Sequence, residues 1–143
     1  MVSKMTTKFQ TTVRGLGRFA FFFALLLSMA LAPKALAHAR MLKSDPAKNA
    51  TLSKSPDHLD LWFNELLEEG FNTIEVFNSS ELTAAKHTNL AKDKPVVDPK
   101  DHTHITVNLG ALPPGEYVVE WRVLSRDGHS APGRILFRVE GAK

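Results

Sequence analysis

GEYVVEWRVLSRDGHSAPGRILFRV, residues 115–139, decides the fold. Tyr117, Val119, Trp121 and Val123 alternate with Val118, Glu120, Arg122 and Leu124, and after a break at Asp127-Gly128-His129 the alternation resumes in Ile135, Phe137 and Val139. Successive strand side chains point to opposite faces, so a period of two predicts strands with one face buried. The same period recurs upstream. HLDLWF puts Leu59, Leu61 and Phe63 on one face, TIEVF does so with Ile74 and Val76, and HITVNL with Ile105, Val107 and Leu109. Asp45-Pro46, Ser55-Pro56, Asn78-Ser79-Ser80, Pro113-Pro114-Gly115 and Pro132-Gly133 punctuate the runs. With ARMLKS at residues 39–44 this makes six strands, and PVV at 95–97, inside an otherwise polar loop at 79–103, makes a short seventh. Many short strands separated by turn residues predict an all-β sandwich or barrel. Tyr117 and Trp121 belong to its core, Trp62 faces the other way over an edge or loop, and NELLEEGF at 64–71 is read as a helical turn.

Working outward to the beginning of the chain, Lys4, Lys8, Arg14 and Arg18 precede an apolar run from Phe19 to Ala32, which is followed by Pro-Lys-Ala-Leu-Ala. That is the order of a secretory signal peptide, with cleavage expected after Ala37. The apolar run of 14 residues falls short of the roughly 20 that span a bilayer. Residues 1–37 are therefore set aside as a leader and 38–143 taken as one domain, large enough for a single core. Five of the eighteen Lys and Arg residues and none of the fifteen Asp and Glu lie in the leader, so the processed chain carries thirteen cationic against fifteen anionic side chains, a net −2. With no basic cluster, nucleic acid and anionic membrane surfaces are not expected partners.

The chain contains no cysteine, so neither a disulfide nor a thiolate is available, and any metal must be held by nitrogen, by oxygen or by Met41, the one methionine of the processed chain. Cleavage after Ala37 would make His38 the first residue. A free N-terminal histidine offers its α-amine and its imidazole Nδ1 to one ion in a six-membered chelate ring. Deprotonating both costs little near neutral pH, and compact nitrogen chelation favours Cu(II) over zinc. Asp127 and His129 are two residues apart, a spacing that in extended backbone points both side chains the same way, with Gly128 relaxing the local constraint. They would add a carboxylate and an imidazole to the same set.

These motifs resemble the CopC-type periplasmic copper-binding family over nearly all of residues 38–143. The opening HARMLKSDPAKNATL at 38–52 is similar to the family's histidine-first pattern, LDLWFNE at 59–65 stands where members have a strand ending in Phe-Ser-Glu, and LPPGEYVVEWRVLSRDGHSAPGRILFRV at 112–139 matches the family's long C-terminal block. The resemblance implies a Greek-key β-sandwich of immunoglobulin or cupredoxin-like type with about seven strands. It implies one Cu(II) per chain, held by the amine and imidazole of His38, by Asp127 and by His129, with Glu65 orienting a ligand. It further implies a monomeric, non-enzymatic carrier or buffer in copper resistance, in the periplasm, with an inner-membrane copper-transport protein as partner. Some members carry a methionine-rich loop for Cu(I). Here residues 78–104 contain no methionine, so a thioether site is not expected; His87, His102 and His104, the last two read on one strand face with Thr106, are candidates for a weaker secondary site. His58 is read as surface. Two other function classes share these residues: a copper oxygenase built on an N-terminal histidine brace, and a metal-free sandwich that binds another protein.

Overall fold

The computed structural model describes residues 39–141; the leader and His38 lie outside the described residues. Eight strands run in chain order: β1 Met41–Asp45, β2 Thr51–Leu52, β3 His58–Phe63, β4 Thr73–Asn78, β5 Val96–Val97, β6 His104–Asn108, β7 Gly115–Leu124 and β8 Ser130–Val139. They form two four-stranded sheets, in the orders β1-β3-β6-β5 and β2-β8-β7-β4. All pairings are antiparallel except β2 with β8. The links from β3 to β4 and from β6 to β7 pass from one sheet to the other, as Greek-key sandwiches require.

The alternation sets which faces meet. Leu59, Leu61, Phe63, Ile105 and Val107 from the first sheet pack against Ile74, Val76, Val119, Val123, Ile135 and Phe137 from the second, all buried. Tyr117 and Trp121 are in this core as expected; the Trp121 ring meets Phe63 edge-on at 6.2 Å. The outer face of the second sheet is partly covered too. Phe77 and Val118, paired across β4 and β7, are fully buried because the segment after β4 folds back over them, with His87 stacked on Phe77 at 3.8 Å.

Three local expectations are corrected. Residues 64–71 form no helical turn of the kind read from NELLEEGF, because the backbone there is already committed to its neighbours: Leu67 N–H donates to His102 O, Glu68 N–H donates to Leu124 O, and Leu67 bridges to Ser125. The eighth strand, β2, is two residues long, too short to carry any periodicity. Trp62 covers neither an edge nor a loop. It stands on the outer face of the first sheet, stacked on His104 at 4.5 Å with the Lys43 ammonium 4.4 Å above its ring.

Candidate metal centre

At one end of the sandwich the 64–67 loop lies beside the hairpin turn that joins β7 to β8. Leu66 O accepts from Arg126 N–H, and the Leu67–Ser125 bridge continues the contact. The turn owes its shape to sequence. Ser125 O accepts from Gly128 N–H while Ser125 N–H donates to His129 O, which is a tight turn followed by one left-handed residue. Gly128 supplies that residue with φ +88°, a conformation that a side chain would strain even though the space around it is open. Asp127 and His129 are thus brought together by a turn and not, as the spacing alone suggested, by the alternation of an extended strand.

The Asp127 carboxylate is used asymmetrically. Its Oδ1 accepts from the Ser125 hydroxyl and from the His129 backbone N–H at 3.1 Å, while its Oδ2 faces the His129 imidazole Nδ1 at 3.0 Å. The hydroxyl, then the amide, hold the Asp127 carboxyl down to about 2, so it is an anion throughout the physiological range. Metal bonds of about 2 Å set neighbouring donor atoms about 3 Å apart, which is the Oδ2–Nδ1 separation here. Ser125, buried at 1% exposure, was not singled out in the sequence; a serine two residues before the aspartate of a tight turn was the available signal.

His38 lies outside the described residues, yet the chain that follows it is fixed close by. Arg40 N–H donates to the Asn64 side-chain oxygen, and Asn64 N–H donates back to Arg40 O at 3.1 Å. A bulge between Met41 and Lys43 lets β1 reach this clamp, with Met41 opposite Phe63 and Ala39 buried. Asn64 was passed over in the sequence in favour of its neighbour Glu65, whose carboxylate lies 3.4 Å from the Asn64 amide nitrogen and is half-buried.

The remaining histidines do not gather as expected. His87 is stacked on Phe77. His102 precedes β6 and its Nδ1 accepts from Arg126 Nη2 at 2.9 Å, whereas His104 begins β6 and contacts Asp60 at 2.8 Å. His102 and His104 therefore do not share a strand face, because the strand starts between them. His58 is half-exposed but not idle, with its imidazole between Asp57 and Asp60.

A family model described as the CopC domain matches residues 41–140. The copper transport protein CutJ of Bacillus subtilis is 36% identical over 121 residues, which is 83% of this chain and 21% of that protein; the chain spans about a fifth of that relative's length. The crystal structure of CopC from Methylosinus trichosporium OB3b has a TM-score of 0.66 at 24% identity, covering 74% of this chain and 97% of that one. PcoC, a methionine-rich copper resistance protein from Escherichia coli, has a TM-score of 0.58 at 27% identity, covering 73% and 100%.

Proposed function

The chain belongs to the CopC family, and from that premise we propose that it carries or buffers one Cu(II) ion in the periplasm, bound where the start of the processed chain meets the β7–β8 turn. The family is one of copper-binding resistance and carrier proteins, not of enzymes, so the oxygenase reading is set aside. Copper is the cargo. Its donors are the His38 amine and imidazole, Asp127 Oδ2 and His129, three nitrogens and one anionic oxygen, a set suited to tetragonal Cu(II). Glu65 positions a ligand from the adjoining loop.

The observation that carries this reading is the Asn64 clamp on Arg40 next to the loop that touches the 125–129 turn. It leaves only Ala39 between a tethered residue and His38. The oxygen-pinned Asp127 supports it further: two hydrogen-bond donors fix one carboxylate oxygen and leave the other for an ion. A carboxylate in the donor set lowers the metal's charge and disfavours reduction to Cu(I), which suits storage and hand-over. The absence of methionine from residues 78–104 argues against a thioether site for Cu(I). The receiving protein is proposed to be an inner-membrane copper transporter.

The test is mass spectrometry of the exported protein with and without copper, followed by competition titration of variants. Expected are a chain beginning at His38, a single tightly bound Cu(II), and losses of affinity in the order His129→Ala, then Asp127→Asn, then Glu65→Gln. A second equally tight Cu(II), tight Cu(I) binding, or Glu65→Gln as the most damaging change would overturn the assignment.

A further inference from the structure

The outer face of the first sheet holds a cluster that the copper site does not use. On β3, His58 and Asp60 share that face, and on β6 His104 joins them from the neighbouring strand. The two imidazoles flank one carboxylate: His104 Nε2 lies 2.8 Å from Asp60 Oδ1, and His58 Nε2 lies 3.2 Å from Asp60 Oδ2. Each ring has a second carboxylate at its other nitrogen. His58 Nδ1 contacts Asp57, and His104 Nδ1 lies 3.5 Å from Asp98.

Counting protons shows what this arrangement lacks. A neutral imidazole has one N–H, so two rings supply two protons for four nitrogen–carboxylate contacts. If the Nδ1 protons serve Asp57 and Asp98, both Nε2 lone pairs face the oxygens of Asp60. That is repulsive unless a cation lies between them or both rings are protonated. Asp57 and Asp98 have carboxyls held below the usual range, by the His58 contact and by the Lys100 amide respectively, so they remain anions. Asp45 stands directly opposite Asp60 across β1, a like-charge pair that a bound cation would relieve. An imidazole whose far nitrogen donates to a carboxylate, with its near nitrogen bare, is the form in which histidine binds metal.

We propose that His58, Asp60 and His104 form a divalent-cation site for zinc or copper on this face, with Asp57 and Asp98 orienting the two imidazoles. Two imidazoles and a carboxylate leave one position for water, the composition of an open zinc site. Among the described residues no three such groups yet surround a common point. His58 closes the set by swinging toward Asp60; at 51% side-chain exposure it is free to do so. His104 needs no movement, because Trp62 holds its ring in a parallel stack only 7° from coplanar. The site shares no residue with the His38, Asp127, His129 set, and its success or failure leaves that assignment intact.

The test loads the processed protein with one Cu(II) and titrates it with zinc chloride, following stoichiometry by native mass spectrometry and affinity by calorimetry. One zinc per chain in the micromolar range is expected. His58→Gln and His104→Gln should each weaken it at least about tenfold while the first Cu(II) binds as before and the melting temperature of the His58 variant is unchanged. Zinc X-ray absorption should show two imidazoles. In copper-only titrations the same variants should abolish a second, weaker Cu(II), which separates the two candidate ions. No zinc binding, or zinc binding indifferent to both variants, would overturn the proposal in favour of a doubly protonated histidine pair.

Discussion

Asn64→Ala removes the oxygen that accepts from Arg40 N–H, while the return bond from Asn64 N–H to Arg40 O can persist. A hydrogen bond of this kind contributes about 0.5–1.5 kcal/mol net, and a position open to water belongs in the lower half of that range. If the clamp holds the start of the chain where His38 reaches Asp127 and His129, its loss must be made good on binding, and Cu(II) affinity should fall about 2- to 5-fold. The assay is competition titration of correctly processed protein against a chelator of known affinity, beside thermal unfolding of the copper-free form. Asn64→Asp retains an acceptor oxygen and should bind nearly as the parent does. In a protein with an additional residue before His38, where the amine is already displaced, Asn64→Ala should have no further effect. Unchanged affinity in Asn64→Ala, or the same loss in the extended protein, would refute the idea that the clamp pre-positions a ligand.

Two further outcomes follow from the packing and the charges. A Cβ on Gly133 would lie 2.2 Å from Trp121 Cζ2 and 2.5 Å from Cε2, so Gly133→Ala forces a core tryptophan to move; it should cost about 1–3 kcal/mol, and each kcal/mol should lower Tm by about 4–8 °C, with Cu(II) affinity unchanged. Asp127 has its folded value, about 2, below its ordinary 3.8. Its contribution to apo stability is therefore complete above about pH 4 and lost as pH falls through 2, and Asp127→Asn should flatten that part of the Tm–pH curve.

What could be read from the sequence, and what could not, divides along physical lines. Burial leaves a period in the chain: Leu59, Leu61 and Phe63, or Ile105, Val107 and Leu109, declare their face because each strand has one side in the core. Asp127-Gly128-His129 was also legible as a pair, though the geometry behind it is a left-handed glycine in a hairpin turn and not strand alternation. The 64–71 segment misled because its apolar spacing admits a helical turn, while its backbone hydrogen bonds are taken by residues about 35 and 57 positions away, which no local pattern reports. The separation of His102 from His104 depends on where β6 begins, and strand ends are set by pairing partners. Asn64 and Ser125 act through single contacts to distant or turn-forming backbone, so their residue types alone announce nothing.

The measurement that bears most directly on the central claim compares Cu(II) affinity in two forms of the protein, one beginning at His38 and one with a methionine before it. The extra residue converts the α-amine of His38 into an amide, which releases its proton far less readily, while leaving the core that starts at Ala39 untouched. Affinity should fall by orders of magnitude with no change in the melting temperature of the copper-free protein. Equal affinity in the two forms would contradict the account that processing at Ala37 creates the copper site.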